Sequence, residues 1–392
     1  MNNPEKLWTK NFILVSSVNF QLVLTFYLLV IVIVGYSVAE LNASKAQAGL
    51  ISGLFIVGTL FGRFIVGRLL DVIGARKTLI FGLLGFLVLS GFYFLKLDIM
   101  QLLFVRFAHG FMMGLASTVL GTIIAQIIPS TRRGEGIGYY SLSSTIGTAI
   151  GPFVAIWLLL YVDYDVIFYI SSLIACCCLI VGLNIQIPGI KTTSQQKPVY
   201  ENWISQFIEP KALPIAIVVL LTSLCYAGVL SFVTLYAQTI GLVQAATMFF
   251  LVYALSILIS RPFTGPLLDR KGPHIIMFPA FMIMAIGLIL LSYASNAWML
   301  LLSAGLLGLG YGNIQSVCQT LAITSVPVER MGYATSTFFI FLDAGLGIGP
   351  FFLGLFLAYI QYQEMYLYSA ILVIVTMVVY PILYRTKQHT AE

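Results

Sequence analysis

The chain has 392 residues, of which 60% are hydrophobic and 9% charged, where a soluble domain carries about 25% charged residues. Apolar surface on that scale cannot be hidden from water by folding alone, so a soluble globular protein is excluded. The net charge of +6 raises the question of a polyanionic partner, which the placement of the charges answers below.

Apolar runs of roughly 20 residues recur along the chain, each long enough to cross a hydrocarbon core of about 30 Å. Lipid offers no partner to a backbone N–H or C=O, so these runs must be helices, and the alternating pattern of a membrane β-barrel is absent. The predicted fold is an all-α membrane protein with twelve transmembrane helices. Helices 1 to 6 are placed at 11–36, 47–69, 78–96, 100–128, 137–161 and 166–187. Helices 7 to 12 are placed at 212–240, 244–268, 275–294, 297–325, 332–360 and 365–384. The first run is too long for a signal-peptide core and lacks a small-residue cleavage site, so it is expected to remain as helix 1. Asn42-Ala43-Ser44 has the form of a glycosylation acceptor and is taken as chance. All five cysteines (Cys176, Cys177, Cys178, Cys225, Cys318) lie inside apolar runs, and no disulfide, metal site or cofactor is expected.

With the N-terminus placed in the cytoplasm, Lys45 and Lys96 fall outside and Arg63, Arg106 and Arg261 within spans, while every other Lys and Arg is cytoplasmic. This is the positive-inside bias, and it predicts both termini inside. The positive charge therefore reports orientation in a lipid bilayer, and no nucleic-acid partner is implied. The longest polar stretch, Gly189 to Lys211, contains Lys191, Lys197, Glu201, Trp203 and Phe207. It reads as a cytoplasmic linker (189–211) between an N-terminal half, 1–188, and a C-terminal half, 212–392.

The two halves repeat one another. At an offset of 198 residues Arg63 falls on Arg261, Gly67 on Gly265, Asp71 on Asp269 and Gly74 on Gly272. The same offset carries Gly110 onto Gly308, Gly114 onto Gly312, Arg132 onto Arg330, and Gly151-Pro152-Phe153 onto Gly349-Pro350-Phe351. Two six-helix halves of the same orientation are the parallel-repeat plan of a rocking transporter.

Three motifs carry chemistry. Gly67-Arg68-Leu69-Leu70-Asp71-Val72-Ile73-Gly74-Ala75-Arg76-Lys77 lies between helices 2 and 3. Its glycines permit a tight turn and close helix approach, and Asp71 is suited to a positive helix N-terminus, that of helix 11, as a latch. Gly265 to Gly272, with Asp269, echoes it; the alternative for both is a solvated turn. On helix 4, Arg106 is followed by His109, Gly110 and Gly114. An arginine within a span is costly and marks function. An imidazole one turn on titrates near neutral pH, although a lone intramembrane histidine is more often a hydrogen-bonded structural residue. On helix 5, Gly138, Gly147, Gly151 and Pro152 let the helix press on a neighbour and bend.

These motifs resemble those of the major facilitator superfamily, and within it the bacterial twelve-helix drug:proton antiporters. The first resembles the family's signature loop, departing from it at Val72, where a basic residue is usual. The second resembles the family motif whose arginine is associated with proton coupling. The third resembles the antiporter motif of drug exporters, with Val154-Ala155 near the place of its trailing glycine pair. The resemblance implies a multi-pass protein of the bacterial plasma membrane, acting as a monomer and using protons to export a small-molecule substrate.

Of 14 Asp and Glu residues, Asp343 alone lies deep in a predicted span, roughly 16 Å along helix 11 at 1.5 Å per residue. Its repeat counterpart is Thr145. On the architecture of the superfamily, Arg63 and Asp343 are expected to approach each other, either as a protonation-sensitive coupling pair or as a permanent structural pair. Arg261 has no carboxylate nearby in the expected packing; it binds an anionic substrate group or snorkels to the interface, the second being favoured. Central helices supply the candidate substrate residues Asn19, Gln21 and Thr25, Tyr226 and Phe232, and Asn313, Gln315 and Gln319. A lining rich in aromatics and poor in charge suits an amphipathic substrate, although abundant Phe and Tyr make any face look aromatic. No nucleotide-binding loop and no catalytic constellation appears, so the chain reads as a transporter and not an enzyme. Alternatives are a dedicated exporter of a sugar, metallophore or other metabolite, and a non-transporting receptor or lipid scramblase.

Overall fold

A computed structural model describes residues 6–95, 97–187, 207–357 and 359–389. Lys96 and most of the linker, with Lys191, Lys197, Glu201 and Trp203, lie outside the described residues. Twelve long helices and no strand occur among those described. They are α1 (Lys10–Leu41), α2 (Lys45–Ile73), α3 (Ala75–Gly91), α4 (Ile99–Ile127), α5 (Arg133–Leu159) and α6 (Tyr164–Leu183). After them come α7 (Leu213–Thr239), α8 (Val243–Lys271), α9 (His274–Ser292), α10 (Ala297–Thr324), α11 (Met331–Phe356) and α12 (Tyr362–His389). All twelve are long and apolar enough to cross a membrane, and the expected all-α membrane fold is found.

The helix ends follow from local chemistry. Ser44 and Asp98 each form a capping box, with Gln47 and Gln101 respectively, satisfying the first backbone donors of α2 and α4. Asn42 ends α1 in the left-handed region, φ 52°, a conformation that asparagine tolerates better than most residues. That accounts for an asparagine there without a glycan. Gly74 and Gly272, repeat-related, take φ 82° and 80° at the turns after α2 and α8, values that a side chain would strain.

The chain divides into two compact units. One comprises Met1–Pro129, Ser143–Ile208 and Val328–Ser336; the other comprises Ser130–Leu142, Glu209–Pro327 and Thr337–Glu392. In the first, α2 and α4 are pressed together so closely that a side chain at Gly110 would meet the Phe55 carbonyl, and one at Gly114 the Thr59 carbonyl. The Thr59 hydroxyl donates to the Gly110 carbonyl at 3.1 Å. In the second, α8 and α10 repeat this, with Gly308 against the Tyr253 carbonyl and Gly312 against Ile257. Backbone approach at small residues is how helices associate where lipid removes the hydrophobic drive.

Candidate functional site

In the first unit, the signature loop engages the first turn of α11. The Tyr333 hydroxyl donates to an Asp71 carboxylate oxygen at 2.5 Å, the Arg330 guanidinium lies 5.1 Å from the Tyr333 ring centre, and Gly67 leaves room for that ring. Asp71 thus meets α11, as its sequence context anticipates, through a phenol. Arg76 donates to the Leu183 and Ile185 carbonyls, both at 3.2 Å, tying the loop to the end of α6. Lys77 is exposed. The Ser336 hydroxyl bonds the carbonyl of buried Arg63.

In the second unit, the echo of that loop engages the start of α5. Asp269 accepts from the backbone N–H of Gly134 at 2.6 Å and of Glu135 at 3.0 Å, at the start of α5, where the helix dipole favours an anion. Gly265 lies against the Glu135 backbone. Arg132 forms a two-pronged ion pair with Glu135, at 2.7 and 2.8 Å. The offset of 198 residues puts Glu135 at the position of Tyr333 and Arg132 at that of Arg330. Asp269 is thus held by two backbone donors next to a local ion pair, while Asp71 meets a phenol that has an arginine over its ring.

The intramembrane arginine of α4 sits in a polar knot. Arg106 is fully buried. Its Nε donates to the Ile51 carbonyl at 3.3 Å and one terminal nitrogen to the Tyr93 hydroxyl at 3.2 Å, and the guanidinium lies 4.5 Å from the Phe55 ring centre. Tyr93 also meets His109 Nδ1 at 2.9 Å, while His109 Nε2 faces Ser90 Oγ at 3.4 Å. His109 is fully buried, with the rings of Phe86, Phe55 and Tyr93 around it. Sequence reasoning missed Tyr93, which joins Arg106 and His109; it fell among the aromatics of the predicted helix 3 (78–96), and the structure instead ends α3 at Gly91 and sets Tyr93 in a short 3₁₀ turn.

On α5, Gly147 packs on Val23 and Leu24, and Gly151 on Tyr27, of α1. Asn19 donates to the Ser143 and Ser144 hydroxyls at 2.7 and 2.8 Å, fastening the same pair of helices. Pro152 lies inside α5. The second unit repeats the packing, with Gly345 and Gly349 of α11 on Leu220 and Ala227 of α7. Gln21 and Thr25 bond within α1, to Ser17 and to the Gln21 carbonyl.

Arg261 overturns the favoured expectation of snorkelling. Its side chain is buried, 3% exposed, and turns onto α10. One terminal nitrogen donates to Asn313 Oδ1 at 3.5 Å and to the Ser316 hydroxyl, the other to the Gly312 carbonyl at 2.9 Å. Gly138 faces the aliphatic part of its stem. Three neutral oxygens on α10 hold the head more firmly than a distant interface can draw it. Gln319, 3% exposed, receives the Ser141 hydroxyl at 3.5 Å. Ser316 was missed, although Asn313, Ser316 and Gln319 recur every three residues on one face of α10. Tyr226 is stacked between Tyr253 at 5.2 Å and Tyr311 at 4.2 Å. Phe232 lies near Tyr362 at 6.3 Å; Gln315 and Asp343 are half-buried. Glu209, assigned to the linker by sequence, is 2% exposed, with its N–H bonded to Thr337 at 2.8 Å.

Twelve spans, two repeat-related halves of six helices and loop carboxylates set against the starts of α5 and α11 define a membrane transporter of parallel-repeat design. The Major Facilitator Superfamily model matches residues 15–293 and 243–392, and the chain belongs to that superfamily, whose members are transporters and not enzymes. It is 26% identical over 342 residues to the uncharacterized MFS-type transporter MJ1560 of Methanocaldococcus jannaschii, covering 86% of this chain and 88% of that one. It is also 26% identical over 397 residues to the uncharacterized MFS-type transporter YhhS of Escherichia coli, covering 95% and 92%. Among solved structures, its fold is similar to that of the human organic anion transporter MFSD10 (TM-score 0.76, 13% identity, 97% and 100% covered). The transporter FucP in the outward conformation is similar as well (TM-score 0.77, 13% identity, 96% and 99% covered).

Proposed function

We propose that the chain is a proton-coupled exporter of small amphipathic compounds, working as a monomer in the bacterial plasma membrane with both termini in the cytoplasm. The observation that carries alternating access is the repeat-related pair of loop latches, Asp71 on Tyr333 and Asp269 on the start of α5. Each is made of a few polar contacts at a helix start, strong enough to define a state and weak enough to release. In this reading Gly67, Gly74, Arg76 and Lys77 shape and orient the first latch, while Gly138, Gly147, Gly151 and Pro152 let α5 move as a tightly packed unit.

Proton coupling is assigned to Asp343, the carboxylate deepest in a span, and to Arg106 and Arg63, charged groups costly enough within spans to mark function. His109 holds Tyr93 against Arg106. Protonation of Asp343 biases the facing equilibrium because the charged and neutral forms are solvated unequally in the two states. The direction, export, rests on the resemblance of the α5 pattern to that of antiporters. The same close packing recurs at Gly345 and Gly349 of α11.

The test is movement of amphipathic dyes, cationic and anionic, and of quinolones into proteoliposomes under an imposed pH gradient, with Asp343→Asn in parallel. Gradient-driven movement lost in the variant is expected. Movement that persists in Asp343→Asn removes the coupling role. If the panel fails altogether, the protein is better read as a dedicated metabolite exporter, to be screened with sugars and metallophores.

A further inference from the structure

The donors around Arg261 outnumber the acceptors. A guanidinium carries five N–H groups; here three bonds leave Nε without a partner among the described residues, and Gln319 Nε2 has none either. All three acceptors are neutral, and no described carboxylate forms an ion pair with Arg261. A buried cation without a counter-charge is among the costliest arrangements that a protein can hold, and it is kept where something else supplies the anion.

Nor is this cluster a residue of the repeat. At the offset of 198 residues, Asn313 and Gln319 correspond to Leu115 and Gly121, so the matching positions of the first repeat carry no side-chain amide. Tyr253 precedes Arg261 by eight residues on α8, about 12 Å along a helix at 1.5 Å per residue, and it begins the stack with Tyr226 and Tyr311. A charged donor cluster and an aromatic stack at that separation match the two ends of one small amphipathic molecule.

We infer that Arg261 and Gln319 form a recognition site for the anionic end of the cargo, a carboxylate or an anion of like size, with the tyrosine stack meeting its apolar end. The inference takes the transport reading as given and adds the chemical class of what is carried: organic monoanions. Arg261 supplies the charge and a planar fork for two oxygens; Gln319 supplies a neutral donor beside it.

The full chain in detergent is tested by thermal shift and equilibrium binding with 2-naphthoate, its neutral isostere 2-naphthamide, and 2-naphthylmethylammonium. Naphthoate is expected to bind and stabilise, the amide and the amine much less. Arg261→Gln is expected to weaken naphthoate binding roughly tenfold or more, and Gln319→Leu severalfold. Should Arg261→Gln not fold, Arg261→Lys, which keeps the charge and loses the fork, is measured beside Gln319→Leu, and both are expected to weaken binding. Equal binding of naphthoate and naphthamide, no naphthoate binding at millimolar concentration, or unchanged affinity in the arginine and glutamine variants overturns the site.

Binding is read without a gradient, so the two proposals fail separately. Arg261-dependent binding without gradient-driven movement sinks proton-coupled export and leaves the site standing. Gradient-driven movement of acid and amide alike, unchanged in Arg261→Gln, does the reverse.

Discussion

Replacing Asp269 by alanine removes both acceptors from the start of α5 while leaving the Arg132–Glu135 pair in place. The bonds at 2.6 and 3.0 Å to the Gly134 and Glu135 N–H groups are those of a helix N-cap, supplied from another helix. Loss of an N-cap acceptor costs about 0.5–2 kcal/mol, and an anion near an exposed helix start adds about 0.3–1 kcal/mol. Because Asp269 is exposed at its outer edge, the lower part of the combined range applies, roughly 1–2 kcal/mol. At 1.4 kcal/mol per tenfold, opening of the first turn of α5 should rise roughly five- to thirtyfold. Hydrogen exchange followed by mass spectrometry reads that opening directly, in peptides spanning 133–142, with peptides of α7 as an internal reference. Asp269→Asn, which keeps one acceptor, should fall between the wild type and alanine. Exchange over 133–142 that stays within twofold of wild type in Asp269→Ala would refute the claim that this carboxylate holds α5.

Tyr333→Phe removes a single hydroxyl donor from Asp71, a change of about 0.5–1.5 kcal/mol; exchange at the start of α11 should rise less than at α5 in Asp269→Ala. Tyr93→Phe strands a donor on Arg106 and leaves His109 Nδ1 without its partner in a buried site, so it should destabilise by roughly 1–3 kcal/mol, seen as a lower unfolding temperature in detergent. Gly110→Ala drives a methyl group into the Phe55 carbonyl and should cost about 1–3 kcal/mol of stability by parting α2 from α4. Gly53→Ala, where an added methyl group meets nothing within 4 Å, should be neutral or stabilising by up to about 1 kcal/mol. If both glycine variants shift the unfolding temperature alike, close approach is not what Gly110 provides.

Some of the functional geometry was readable in advance because it is local. Gly74 and Gly272 announce turns that only glycine makes easily, and Asp71 and Asp269 announce carboxylates beside them. The partners were not readable, because they come from residues far along the chain. Repeat-related Asp71 and Asp269 look alike in sequence, yet Asp71 receives a phenol hydroxyl from Tyr333, which the repeat-related Glu135, itself an acceptor, has no means to supply to Asp269. Arg106 was identifiable as a costly buried charge, but Tyr93, which joins it to His109, was one aromatic among many in a predicted span, and only its contacts with α4 single it out.

The sequence alone determined the twelve spans, the repeat and the all-α class, since lipid forces each apolar run to satisfy its own backbone and each helix is therefore legible by itself. Tertiary structure decided where the intramembrane arginines point. A long cationic side chain can run outward along its helix or turn across to a neighbour, and its own sequence is the same in either case. For Arg261 the choice was made by the close packing of α8 on α10 at Gly308 and Gly312, which brings Asn313, Ser316 and the Gly312 carbonyl within reach of the guanidinium.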